Sequence, residues 1–409
     1  FNDTATTEFS TLSLHDALPI FEGARCGHAH LPPHPLSAAR TEVREVWANG
    51  HPVYLGPGSL AALQQRLDGI DGDVLHLVLG DGNTLRHCLP ELLRHVPALR
   101  EAQLIEVPPG EASQDIRVCP DIWRHLLERG ADRQALVVCL GGGVVSDLGG
   151  FVAGTFKRGI RFVNVPTSLM GMVDAAIGGK TGVDLAGVKN MVGLFHDPLA
   201  VHVHVPFLRT LGKRELLNGL AEMIKHGLVA DADHWEAILQ APLHDLDALT
   251  PLIERSAEIK CAVVKEDPLD LGHRKVLNFG HTIGHAIEAH SWEGAGRGLL
   301  HGEAVAAGMI CAAWLSWRRD GLPREELDRI TDHLLGLYKP YPFAAADAHR
   351  LIELMRHDKK NAEGSFRFTL LHRIGEAVVD QRITPAQVKE ALEHYHDLVR
   401  HRAQGEEVP

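Results

Sequence analysis

ALVVCLGGGVVSDLGGFVAG, residues 135–154, decides the reading of the fold. A run of six apolar residues with β-branched members ends abruptly at Gly141, Gly142 and Gly143, and a small-residue amphipathic segment follows. That is a buried strand, a glycine turn and a helix start, the unit from which parallel α/β sheets are built. Without side chains the turn lets backbone approach a pyrophosphate, and the free amides and dipole of the helix start favour its charge. The spacing departs from GxGxxG, so an ordinary dinucleotide fingerprint is not licensed, and glycine-rich strand ends also occur without any ligand. Asp147, and Asp81 with Asn83 at the end of an earlier strand, are candidates for ribose hydroxyls; either aspartate could equally be a helix cap.

Outward from this unit, VLHLVLG (74–80) and RFVNVP (161–166) read as further buried strands. Beyond about Phe207 helical periodicity takes over, in ELLNGLAEMIKHGL (215–228), LIERSAEIKCAVV (252–264), the 324–337 stretch and the 385–401 stretch. The expectation is an α/β nucleotide-binding domain over residues 41–207 followed by an α-helical metal- and substrate-binding domain over 208–400. Residues 1–40 read differently: they lack periodicity, pass through HLPPHPL, and contain TLSLHDALPI, which resembles translated sequencing-adapter sequence. They are expected to be a disordered or artefactual extension.

At 409 residues the chain exceeds one ordinary core. With 45% hydrophobic and 23% charged residues it has the composition of a soluble globular protein. A formal charge of -12 without a long Lys/Arg run argues against nucleic-acid or anionic-membrane partners, so an anionic substrate would need locally clustered cations. The six cysteines are scattered with no CxxC pair, which fits a reducing, cytoplasmic setting. No apolar run reaches transmembrane length.

The chemistry concentrates in NFGHTIGHAIEAHSWEGAGRGLLHGE (278–303). His281 and His285 stand at i and i+4, and His301 opens the next element, so a divalent metal could take one of the pair, the histidine of the next element and a carboxylate from elsewhere, leaving a position open for substrate. In a chain with 27 histidines such a pair is also compatible with a plain surface or core role. Glu222 and Lys225, at i and i+3 in GLAEMIKHG, form either a simple helix ion pair or the missing metal carboxylate with an acid/base group beside it. Asp174, Lys180, Lys189 and Asn190 lie in a glycine-rich stretch that can hold an anion or be a solvated loop. Arg158 precedes a strand and serves this site or a neighbouring subunit, while Lys260 and Arg274 suggest a carboxylate-binding pair.

Taken in order, GGGVVSD, FKRG, VPTS, VDAAIGGKTGV, KN, GLAEMIKHG, NFGHTIGHAIE, LLHGEAVAAGM and MRHDKKN resemble the 3-dehydroquinate synthase family, within the sugar-phosphate cyclases, over roughly Val43 to Leu398. The resemblance implies a homodimeric enzyme of the shikimate pathway that uses NAD and Zn2+, with Co2+ as a possible substitute. Its reaction turns the sugar phosphate 3-deoxy-D-arabino-heptulosonate 7-phosphate into 3-dehydroquinate and phosphate. By position it implies metal ligands at Glu222, His281 and His301, and nucleotide contacts at Asp81, Asn83, Glu111, Gly143, Asp147, Thr167, Ser168, Lys180 and Lys189. It also implies phosphate groups at Lys180, Asn190, Asn278, His285 and Lys360, with Arg158 reaching in from a partner subunit. Lys260 and Arg274 match its carboxylate binders, and Asp174 and Lys225 match groups near substrate hydroxyls. Three positions depart from the pattern: Ser146 for glycine, Ser168 for threonine and Gln114 for a lysine near the nucleotide. Another cyclase acting on a different heptulose phosphate, and a metal-dependent alcohol dehydrogenase, are the alternatives.

Overall fold

Leu136–Gly141 is buried at every position, as a strand covered on both faces must be. It lies near the middle of a seven-stranded sheet in a computed structural model that describes residues 42–186, 188–293, 298–356 and 365–404. The strands are β1 (Arg44–Trp47), β2 (Pro52–Leu55), β3 (His76–Asp81), β4 (Gln103–Val107), β5 (Leu136–Gly141), β6 (Arg161–Pro166), β7 (Lys180–Leu185), β8 (Val188–Phe195), β9 (Val201–Val203), β10 (Phe366–Arg373) and β11 (Glu376–Ile383). The helices are α1 (Ser59–Asp68), α2 (Gly82–His87), α3 (Leu89–His95), α4 (Cys119–Glu128), α5 (Gly143–Thr155), α6 (Lys213–Ala230), α7 (Ala232–Gln240), α8 (Leu246–Glu266), α9 (His281–Trp292), α10 (His301–Arg319), α11 (Arg324–Leu337), α12 (Ala348–Arg356) and α13 (Pro385–Gln404).

The main sheet runs β1-β2-β9-β6-β5-β3-β4, parallel except for the antiparallel β1–β2 pair at one edge. From β3 the chain first steps outward to β4 and then returns to β5 on the other side. That reversal opens a crevice at the carboxyl ends of β3 and β5, where open α/β sheets bind ligands. Alternate residues of each strand serve two cores. Val78, Leu136, Val138, Leu140, Val163 and Val165 join one that continues without a break into α6, α8, α9, α10 and α13. Leu77, Leu79, Val137, Cys139 and Phe162 face the other, against α4 and α5. α5 reaches the sheet because Gly149 has no side chain; a Cβ there would overlap the Cys139 sulfur.

The α/β class and the helical character of the later chain agree with the sequence expectation. Two details differ. The glycine-rich stretch around Lys180 is an antiparallel hairpin, β7–β8, because Thr181 to Val183 alternate with Leu194 to Val192 in register. The helical part also carries a second hairpin, β10–β11, whose Thr369 side chain bonds the Lys275 carbonyl. The 1–40 extension and Lys360 lie outside the described residues.

Candidate active site

The register of the sheet assembles the expected nucleotide rim. Gly80 pairs with Leu140 and Gly141 with Pro166, so Asp81, Gly142–Gly143 and Thr167–Ser168 follow three adjacent strands at the same end. The Asp81 carboxylate accepts from the amides of Asn83 and Thr84, which makes it the α2 cap that the sequence left open. Gly142 offers α5 no side-chain cap and the first turn holds no acid, so the leading amides of that helix remain available to a ligand anion. Asp147, one turn in, accepts from Gln114 Nε2 at 2.8 Å, and the same amide reaches Asn190 Oδ1 at 3.0 Å. Burial raises the Asp147 carboxyl to about 8, against the lowering effect of the Gln114 bond.

A chain of charges then crosses from this rim to the helical side. Lys189 Nζ bonds Glu111 at 2.8 Å and also pairs with Glu288. The other Glu288 oxygen lies 3.2 Å from His301 Nδ1. Burial would raise the Glu288 carboxyl, but His301 and Lys189 hold it well below its usual range. Glu288 received no role from the sequence; its signal was its place at the end of NFGHTIGHAIE, seven residues after His281.

Glu222, His281 and His301 converge from three helices. α6 buries Glu222 completely, and His281 and His301 begin α9 and α10. Gly280, with φ +78, turns the chain into α9, and any Cβ there would overlap Met309 of α10. His281 Nδ1 lies 3.2 Å from the Phe279 carbonyl, which leaves Nε2 facing Glu222 Oε1 at 3.6 Å. His301 Nε2 faces the same oxygen at 3.7 Å. Each imidazole is thus oriented through its second nitrogen, as metal-ligating histidines are. Neither Glu222 oxygen has a well-directed hydrogen bond among the described residues, although the Lys225 ammonium sits against Oε2. Burial opposes ionisation of Glu222, yet Lys225 and the histidines hold it well below its usual value. Burial likewise depresses His301, but the two carboxylates outweigh it and raise the ring to about 10. Two imidazole nitrogens turned toward one oxygen of a buried carboxylate suit a divalent cation, so the donor set fits the implied metal. His285 is exposed on the next turn of α9, its ring 5.2 Å from that of His281 and 5.6 Å from that of His301.

Beside this centre a π-helical turn, Gly171–Ala175, presents Asp174 to Lys260 Nζ at 2.5 Å. His226, one residue beyond Lys225, comes within 3.9 Å of the same Asp174 oxygen and bonds Ser256 through Nδ1 at 2.8 Å. The sequence reading passed over His226, whose only sign was its position in EMIKHG. Burial lowers Lys260 to about 8 against the pull of Asp174. Arg274 is also buried, donating to the carbonyls of Gly178 and Pro268. Asn278 and Thr282 line a cavity of about 440 Å3 with Lys275, Arg367 and Asp380, so β10 adds a cation that the sequence did not flag.

The remaining candidates sit on other elements, each with its own surroundings. Lys180 bonds Asp270 at 2.6 Å on the exposed side of β7. Asn190 is joined to Gln114 and the nucleotide rim. Arg158 is exposed just past the far end of α5, a helix about 20 Å long, and so lies away from the glycine turn of its own chain.

Models of the 3-dehydroquinate synthase N-terminal and C-terminal regions match residues 104–218 and 219–361. This chain belongs to the 3-dehydroquinate synthase family. It is 41% identical to the 3-dehydroquinate synthase of Parabacteroides distasonis over 340 residues, covering 82% of this chain and 95% of that protein. The enzyme of the same name from Bordetella pertussis is 40% identical over 352 residues, covering 84% and 96%. Among solved structures, a 2-epi-5-epi-valiolone synthase from Streptomyces hygroscopicus with NAD+ and Zn2+ bound matches with a TM-score of 0.73 at 26% identity, covering 89% of this chain and all of that one. The junction between the two family models falls inside α6, four residues before Glu222.

Proposed function

We propose that this family member converts 3-deoxy-D-arabino-heptulosonate 7-phosphate into 3-dehydroquinate and phosphate, using NAD and a divalent zinc ion for which cobalt can substitute. The observation that carries the reading is the buried Glu222 carboxylate facing two imidazole nitrogens beside the Lys260–Asp174 pair and Arg274. Glu222, His281 and His301 would hold the metal. Residues 41–207 would bind the nucleotide through the α5 amides, Asp81, Asn83, Glu111, Gly143, Asp147, Thr167, Ser168, Lys180 and Lys189, and residues 208–400 would supply the metal and most of the substrate groups. When bound, the nicotinamide takes and later returns a hydride while the metal acidifies and polarises the substrate oxygens.

The chain's own side chains do the positioning. Lys260 and Arg274 are two buried cations on neighbouring elements; Asp174 pairs with Lys260 whereas Arg274 donates to backbone carbonyls, so a further anion is favoured there and they would receive the substrate carboxylate. Asp174, already accepting from Lys260, can accept a substrate hydroxyl with its second oxygen. Lys225 lies against Glu222, favours its ionised form, and would stand near the same hydroxyls. Asn278, His285, Lys180, Asn190 and Lys360 would gather the phosphate, whose oxygens can take a proton from the adjacent carbon once that carbon is activated. Phosphate held that close makes elimination an intramolecular proton transfer. Ring closure then benefits from walls that hold the enolate in one geometry.

We read the working enzyme as a cytoplasmic homodimer in which Arg158 serves the partner's site. The described cysteines are free and buried, and no helix among the described residues is long and apolar enough to cross a membrane. Val188, Met191 and Phe195 are exposed apolar residues on the β7–β8 hairpin.

The test is phosphate release from the heptulosonate phosphate, with and without added NAD+ and Zn2+. Release that requires both, with no net NADH, is the expected result. Accumulating NADH would indicate an alcohol dehydrogenase, and preference for a heptulose phosphate lacking the carboxylate would indicate a different cyclase.

A further inference from the structure

Glu91, His95 and His204 form a second His–His–carboxylate cluster, on elements that contribute no residue to the metal centre above. Glu91 and His95 share one face of α3 at i and i+4, and His204 follows directly after β9. Glu91 Oε1 lies 3.1 Å from His95 Nε2 and 3.5 Å from His204 Nε2. Ligand atoms around a tetrahedral zinc ion, with bonds near 2.0–2.1 Å, lie about 3.3 Å apart, between those two values. One ligand atom from each of the three residues falls within 4.8 Å of the others.

Three further observations point to an ion. His204 is 4% exposed, and neither of its ring nitrogens has a well-formed hydrogen bond among the described residues, an unusual condition for a buried imidazole. The second Glu91 oxygen pairs with Arg94, which fixes the carboxylate so that Oε1 is presented to both histidines. The side chains of Glu91 and His95 are 27% and 31% exposed, so an ion has a path from solvent and a water-facing fourth position.

We propose that Glu91, His95 and His204 form a second transition-metal site, for Zn2+ or Co2+, that clips α3 to the end of β9. Its role is structural, because the ion closes a chain segment of more than a hundred residues between His95 and His204 and none of the groups assigned to substrate is among Glu91, His95 and His204.

The full chain, stripped with a chelator and dialysed against micromolar Zn2+, should retain about two equivalents of metal, with one bound by Glu222, His281 and His301. His301→Ala should lose one equivalent and His95→Ala the other. Glu91→Gln, at a partly exposed position that tolerates the change, should match His95→Ala, and Co2+ loading should give a tetrahedral visible spectrum in His301→Ala that is absent when His95→Ala is added. The proposal is overturned if His95→Ala and Glu91→Gln bind as much metal as the unaltered chain, or if the unaltered chain binds only the equivalent removed by His301→Ala.

Discussion

Glu222 carries more of the site than any other side chain: it is wholly buried, ionised, and faced by three nitrogen-bearing groups, Lys225, His281 and His301. An unpaired carboxylate in such a place would be strongly destabilising, so its tolerance depends on positive charge around it. Glu222→Gln keeps the shape and removes the charge. It should abolish retention of the catalytic metal and reduce turnover on the order of a thousandfold or more, seen by metal analysis alongside phosphate release. Arg274→Ala should cost about 2–4 kcal/mol in kcat/KM for the carboxylated substrate. A decarboxy analogue should be nearly indifferent to the change, and equal losses on both would remove Arg274 from carboxylate recognition. At Asp147 the partner is the neutral Gln114, and burial raises the carboxyl from its ordinary 3.8 to about 8. Between those values the folded chain binds a proton that the unfolded chain has released, so this group's contribution to stability is present at low pH and lost as pH rises through about 8. Gln114→Lys should lower that carboxyl and flatten the decline, which thermal melts of the cofactor-free protein from pH 6 to 9 would register. An unchanged slope would mean that Gln114 does not govern Asp147.

Among the elements, α9 shows how local backbone sets chemistry. Its first residue is a proposed ligand, and the glycine before it has a left-handed φ of +78 and packs against Met309. Gly280→Ala should therefore cost about 1–3 kcal/mol in denaturant unfolding and weaken zinc binding as His281 is displaced. If only stability falls while zinc affinity is untouched, the entry geometry is not what aims His281. α5 illustrates the same coupling at the other side of the site. Its uncapped start was legible in the triple glycine, and its close seat on Cys139 follows from Gly149. The β7–β8 hairpin was less legible, because glycines at 178, 179, 182 and 187 masked the short alternation that pairs Thr181 with Leu194 and Val183 with Val192. β10 was hidden for another reason: its contribution to the Asn278 cavity comes from packing against distant residues, which leaves no local pattern.

At the scale of the whole molecule, one apolar core joins the sheet to the helical part, so nucleotide rim and metal centre are parts of one packed body rather than independent modules. An ion held by Glu222 of α6, His281 of α9 and His301 of α10, as proposed, would cross-link that core. Chelation should lower the melting temperature in proportion to the metal affinity, about 4 kcal/mol for free zinc a thousandfold above its Kd, and readdition should restore it. The exposed apolar residues of the β7–β8 hairpin, with Phe195 at 55% and Val188 at 47%, belong to the same scale. Met191→Glu with Phe195→Glu should convert a dimer into a monomer by light scattering; a dimer unaffected by both charges would place its interface elsewhere.

By itself the sequence determined the strand, turn and helix of residues 135–154, the helical character of the later chain, the residue types available for catalysis and the family they resemble. Those are properties of short-range order: apolar period, glycine placement and motif spacing survive in any linear reading. Only the tertiary structure decided that Glu222, His281 and His301 face one another, that Glu288 and Lys189 link them to the nucleotide rim, and that Arg158 lies beyond its own site. Contacts between residues this far apart in the chain arise from the packing of whole helices and the register of whole strands, and neither leaves a mark on the spacing of the residues they unite.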